Sequence, residues 1–168
     1  MGFFRRQTFK ACAATTLLAA TPVAHSEPAI AVPATFAAPW AIIVHGSRLP
    51  SPIALADWTE NQQLMLAMPG PGTPTPSQAF QGRPFVELAF FWGPDWEHLR
   101  GSPESVARLR PDQANQRGWL FLARGDQPAV VVLNPPALPA LATTLRAQTV
   151  GPKGIAVLTK HGVPVRVP

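Results

Sequence analysis

The residues best equipped for chemistry stand together between Phe85 and His98, in the run FVELAFFWGPDWEH. Glu87, Asp95, Glu97 and His98 supply acids and a base, and Phe85, Phe90, Phe91, Trp92 and Trp96 supply rings. In an extended strand Phe85, Glu87, Ala89 and Phe91 share one face, and Val86, Leu88, Phe90 and Trp92 share the other. Glu87 then stands between aromatic neighbours. A carboxyl in such surroundings is a candidate general acid or base. Paired with Asp95 or Glu97, and with His98 close by, it would suit hydrolysis of cell-wall or sugar polymers. The competing reading leaves this face open to water, with Glu87 solvated or paired with an arginine, because antiparallel sheets commonly keep one wet side.

Trp92 and Trp96 flank the Gly93-Pro94 turn. Two indoles beside a loop can stack on a sugar ring or another flat apolar ligand, with Asp95 or Glu97 taking its hydroxyls. Phe91, Trp92, Trp96 and Asp95 are therefore the candidate ligand-binding set. Against this stands the tendency of tryptophan to be largely buried.

Other chemistries find little support. Metal ligation would have to draw on His45, His98, His161, Met65 and Met68, a set suited to copper, but no paired-His or Cys motif is present and no metal site is expected. There is no G-x-S-x-G nucleophile motif, P-loop or G-x-G-x-x-G, so no cofactor is expected. Arg124-Gly125-Asp126 matches an adhesion tripeptide, yet ordinary turn chemistry explains it at a hairpin tip. The arginines are scattered singly, so no nucleic-acid stripe is formed.

The first 26 residues read as an address. Arg5, Arg6 and Lys10 precede the apolar run ACAATTLLAA, and Ala24-His25-Ser26 gives a small-x-small cleavage site. That is the pattern of a secretory signal peptide, with the adjacent arginines partly matching a twin-arginine signal. The apolar run is too short to span a bilayer, and no transmembrane segment is expected in the mature chain. Cleavage after Ser26 leaves 142 of the 168 residues. It also removes the lone Cys12 and reduces the net charge from +5 to +2. An anionic polymer partner is then not implied, and stability has to come from packing. Scarce lysine with abundant Ala, Arg and Pro fits a GC-rich bacterial genome.

The elements that must position these residues are short and proline-punctuated. The 21 prolines exclude a long helical bundle. Glu27 to Pro39 reads as an Ala/Pro-rich tether, followed by one β-rich domain over 40–168. Strands are predicted at Trp40–Val44, Pro52–Leu55 and Phe85–Trp92. Hairpins are predicted over Gly118–Ala123 with Pro128–Leu133 and over Gly154–Thr159 with Val163–Val167, the two aligning as a near-repeat. A helix is expected from an Asp57 cap, with Glu60 reaching back to it and Trp58, Met65 and Met68 on one face. A second begins at Ser102, with Val106 and Leu109 facing inward. A third is marked by Leu138, Leu141 and Leu145. The run from Pro69 to Pro84 fits no regular element and is expected to be a loop.

The expected fold is mainly β, with α+β as the alternative: an antiparallel, hairpin-built sandwich or partly open barrel with two or three short helices. The functional expectation is an exported bacterial cell-envelope protein, periplasmic or extracellular. Its leading role is a non-catalytic domain binding a ligand or an envelope protein through 85–98 and the 69–84 loop. The alternative is a small hydrolase using Glu87 with Asp95 or Glu97.

Overall fold

A computed structural model of the chain describes residues 38–135 and 144–167. The expected signal peptide and nearly all of the expected tether lie outside them, as do Leu138 and Leu141. The described chain forms β1 (Ala41–His45), β2 (Ile53–Leu55), α1 (Trp58–Leu66), β3 (Thr73–Pro76), β4 (Phe85–Phe91), α2 (Pro103–Val106), β5 (Gln116–Phe121), β6 (Val130–Leu133), β7 (Thr144–Thr149) and α3 (Pro152–Lys160). Short 3-10 turns cover Ser77–Phe80, Pro94–Leu99 and Pro111–Gln113. The seven strands make one open antiparallel sheet in the order β2-β1-β4-β5-β6-β7-β3. The protein is mainly β.

Strand β4 organises the sheet because it is apolar on both faces. Val86, Leu88 and Phe90 point to one side and Ala89 and Phe91 to the other, and all five are buried. Burying each phenylalanine is worth about 1.5–3 kcal/mol relative to exposure, so both faces must be covered. On the first face β4 joins Ile42, Val44, Leu120 and Val131 beneath Leu64 and Met68 of the α1 region and Val157 and Leu158 of α3. The second face carries two separate clusters. One gathers Ala41, Ile43, Ala89, Phe91, Leu99 and Val106. The other gathers Phe80, Phe121, Val130, Val132, Leu145 and Ala147.

The helical cover is tight. Gly151 donates its backbone N–H to Ala67 O at 2.8 Å. A methyl group at Gly154 would stand 2.9 Å from Ala67 Cβ, 2.9 Å from Val150 Cγ1 and 3.1 Å from Leu64 Cδ1. Asn61 is fully buried and ties α1 to the sheet, its Nδ2 donating to Pro39 O at 3.1 Å and Leu55 O at 3.3 Å.

Several sequence expectations are corrected. Gly154–Thr159 is helix, not strand: Pro152 occupies the first turn after Gly151, where its missing N–H costs nothing. Residues Val163–Val167 consequently have no hairpin partner there. They run parallel to Ala123 instead, with Ala123 N–H donating to Val165 O and Val167 N–H to Ala123 O. The near-repeat of two hairpins is thereby removed, whereas β5 and β6 do pair. The run 69–84 is not wholly irregular, since Thr73–Pro76 pairs with β7 as an edge strand. Edge position is what admits two prolines, which cannot donate to a ladder on both sides. Leu145 belongs to β7 and not to a helix. In α1, Asp57 Oδ1 does accept from Glu60 N–H at 3.0 Å, but the Glu60 side chain turns away to α3. The buried residues of α1 are Asn61 and Leu64, while Trp58 is 38% exposed. Ser102 bonds the Ser105 hydroxyl at 2.8 Å and makes no side-chain cap, although Val106 is buried as expected.

Gly154→Ala sets two effects against each other. Helix propensity would gain about 1 kcal/mol, and overpacking would cost about 1–3 kcal/mol. With two contacts at 2.9 Å on packed atoms, the cost dominates. Urea unfolding should show the variant less stable than wild type by about 1–2 kcal/mol, and Gly154→Val less stable again.

Candidate functional site

The register of the sheet decides which side chains meet. His45 on β1, Glu87 on β4 and Trp119 on β5 are directly paired neighbours, so they form one row on the second face. One step along, Phe85 is paired with Phe121. This stretch lies between the two apolar clusters of that face, where neither supplies full cover. Phe85 is 39% exposed and Trp119 is half-buried.

An aromatic group builds up from there. Phe85 lies 5.5 Å from Trp119 and 5.5 Å from Phe121 between ring centroids. Phe80, delivered by its 3-10 turn, stacks on Phe121 at 4.6 Å. Arg83 lies over both Phe80 and Phe121, 5.8 and 5.9 Å from their centroids. Its Nη2 donates to Leu122 O at 2.9 Å and Pro128 O at 2.8 Å. The guanidinium thereby staples the loop between β5 and β6 to the strand leading into β4. Burial lowers its pKa from the ordinary guanidinium range, and an arginine stays charged in proteins.

Beside this group is a cleft of about 310 Å³. Gly46, Ser47 and Arg48 of the β1–β2 turn form one wall. Gly82, Arg83 and Pro84 form the other, and Phe85 and Glu87 rise from the sheet between them. Gly46 has φ of +132°, a conformation side chains disfavour, and it lies 3.7 Å from the Glu87 backbone, measured from where a Cβ would stand. Glu87 Oε2 is 4.0 Å from His45 Nε2. At that separation and with Glu87 43% exposed, the pair contributes at most about 1 kcal/mol.

The residues singled out from sequence divide among different places. Glu87 lines the cleft, and neither Asp95 nor Glu97 does. Asp95, Glu97 and His98 are exposed on the 3-10 turn Pro94–Leu99, where His98 Nδ1 is 3.0 Å from Asp95 O. Phe91 is fully buried. Trp96 meets it edge-on at 4.8 Å in the cluster on the second face. Trp92 packs against the cluster of the first face. It continues β4, its backbone N–H and C=O bonded to the two side-chain amide atoms of Asn115 at 2.9 Å each. The two indoles therefore sit on opposite sides of the sheet and face no common space. Among the described residues, no three His, Cys, Asp or Glu side chains gather as a metal site.

Sequence reasoning did not single out Arg48, Arg83, Phe80, Phe121 or Trp119 for the site. The one available signal was alternation: it placed Phe85 and Glu87 on a shared face. The partners across the ladder are fixed only by pairing register.

A second charged group lies on the first face, between α1 and α3. Glu60 is 17% exposed, with one carboxylate oxygen bonded to Lys160 Nζ and the other 2.6 Å from His161 Nε2. The Lys160 hydrogen bond, and then that of His161, hold the Glu60 carboxyl below its ordinary value of 4.5, against the opposing push of desolvation. A lowered folded value means stability that is present above the unfolded value and lost as pH falls through the folded one. Thermal unfolding across the acid range should show the wild-type midpoint falling more steeply than that of Glu60→Gln, which should start lower at neutral pH. Parallel profiles would remove Glu60 as a source of the acid dependence.

Compared with known proteins, the chain matches no family model, no curated protein and no solved structure.

Proposed function

We propose that this protein is an exported bacterial cell-envelope domain that binds a ligand without transforming it, and that the binding site is the cleft between the β1–β2 turn and the strand entry at Arg83–Phe85. The observation that carries this reading is the exposed Phe85 ring set beside two arginines and a carboxylate in one concave space. Concave sites that join apolar surface to a few placed polar groups are where small molecules bind, and this cleft joins Pro84 and Phe85 to Arg48, Arg83 and Glu87. Its floor is on a strand and Arg83 is stapled in place, which limits the ordering needed on binding.

The hydrolase reading has less support. Hydrolysis by a carboxylate pair needs both groups within about 5–10 Å of each other around one bond. Glu87 is the one carboxylate among the residues lining the cleft. Export rests on the leader pattern of residues 1–26 and is independent of the cleft. Among the described residues, no helix is long and apolar enough to cross a membrane.

Two measurements test the two halves. Mass spectrometry of the protein recovered from a bacterial host's envelope should find Glu27 as the first residue; an intact N-terminus at Met1 or Gly2 would sink the export reading. For the cleft, isotope-labelled protein is titrated with a fragment set spanning acids, amines, neutral sugars and arenes. Amide shifts should concentrate at Gly46, Gly82 and the Trp119 indole, and weaken by about tenfold or more in Phe85→Ala, the loss expected of a central aromatic contact. Asp95→Asn should leave them unchanged. Shifts centred on Trp92 or Trp96 instead would move the site elsewhere.

A further inference from the structure

The charges of the cleft are not balanced within it. Arg48 of the β1–β2 turn and Arg83 of the segment before β4 both line it. Among the described residues, no carboxylate oxygen lies within 4.0 Å of either guanidinium, the close carboxylate contacts being Glu87 with the His45 ring, Asp112 with Arg110, and Glu60 with Lys160 and the His161 ring. Arg83 is committed through Nη2 to two backbone carbonyls, which fixes the group without neutralising it. Its Nε is buried and has no hydrogen-bond partner. Glu87 is the one negative group on the floor, and it leans toward His45. Two guanidinium charges against one carboxylate leave a single positive charge unmatched at neutral pH.

Beside that charge lies apolar surface, with Phe85 exposed and its neighbour Trp119 half-buried. A ligand that matches both features has one negative charge and a ring a few bonds away. A dianionic phosphate would overshoot the charge, and a neutral sugar would leave it unanswered. A cation would meet two arginines.

We infer that the cleft takes a small monocarboxylic acid bearing an aromatic ring, its carboxylate held by Arg48 and Arg83 and its ring laid against Phe85, the aromatic residue lining the cleft. This deepens the binding reading above and rests on it. Charge-assisted bonds from arginine to a carboxylate are roughly twice as strong as neutral ones, so the carboxylate carries most of the selectivity. Arg48 sits exposed in a turn, which makes it the variant that keeps the fold. Arg83 is a staple as well as a ligand contact, so its loss would confound the result.

The test compares phenylpropionate with its uncharged primary amide and with phenethylamine, each titrated into labelled full-length protein and read at Gly46, Gly82 and the Trp119 indole. The acid should bind about tenfold or more tightly than the amide, the difference one charge-assisted contact provides. Its affinity should fall by a similar factor in Arg48→Ala and decline with added salt. The amine should give no shifts at these positions. Equal binding of acid and amide, or an unchanged acid affinity in Arg48→Ala, overturns the carboxylate inference while the cleft stands as a binding site. Shifts there from neutral fragments but from no acid do the same. If no fragment of any class moves those signals, both readings fall together.

Discussion

The constraint on which the structure depends is the double-sided burial of β4. A strand with Val86, Leu88 and Phe90 on one face and Ala89 and Phe91 on the other cannot sit in a sheet with a wet side. It needs a layer above and a layer below. The first face gets two helices held so closely that any side chain at residue 154 forces its neighbours to shift. The second face gets no single lid. One half is covered by the segment containing Leu99 and Val106, and the other by Phe80 and its neighbours. The cleft opens at the entry of β4, in a gap lined by residues of neither cluster. Glu87 and Phe85 are the β4 residues that occupy that gap, and the same alternation that buries Phe91 puts them there.

This origin explains why the cleft is firm although it lies on the surface. Its floor is β4, an interior strand of the sheet, and one side is pinned by Arg83 to carbonyls on both sides of the β5–β6 loop. An arginine used this way loses rotamer freedom during folding instead of during binding. Its stacking over Phe80 and Phe121 adds a second restraint on the same plane. The staple thus serves stability and recognition together, which is why a stability loss at Arg83 would not by itself report on binding.

Much of the sheet was legible in the sequence, because β1 and β6 are apolar runs and β4 and β5 contain long apolar stretches, all bounded by turns. What misled was segments whose local pattern suits two structures. The run GIAVLT is rich in β-branched residues and flanked by glycine, so it reads as strand. It folds as helix because Pro152 and Gly151 start a turn and because Val157 and Leu158 then reach a core that Leu64 and Met68 already line. The run TPTP reads as a breaker, and only an edge beside β7 makes it a strand. The site was half legible for a related reason. Glu87 and Phe85 could be placed on one face by parity alone, whereas Trp92 and Trp96, adjacent across a turn, were separated by the sheet between them. Arg83 stands two residues before Phe85 but carries no local signal of a site, and only cross-strand register brings Trp119 to Phe85.

The prolines, first an argument against helices, also account for the sheet remaining open. An open seven-stranded sheet has two edges, and unpaired edges invite pairing with another chain. Here β3 is one edge, with Pro74 and Pro76 inside it, and β2 is the other, entered through Pro50 and Pro52. A proline on an edge presents a carbonyl and no donor, so a further strand finds half its bonds missing. Pro74 and Pro76 blunt the β3 edge in this way, and β2 offers only three residues to a further strand. Recognition is then left to side chains, and among the described residues the cleft beside Phe85 brings exposed ring and unmatched charge into one concave space. The groove between α1 and α3 offers two lysines, but Lys160 is already held by Glu60. The edge chemistry and the charge balance therefore converge on the same place in the fold.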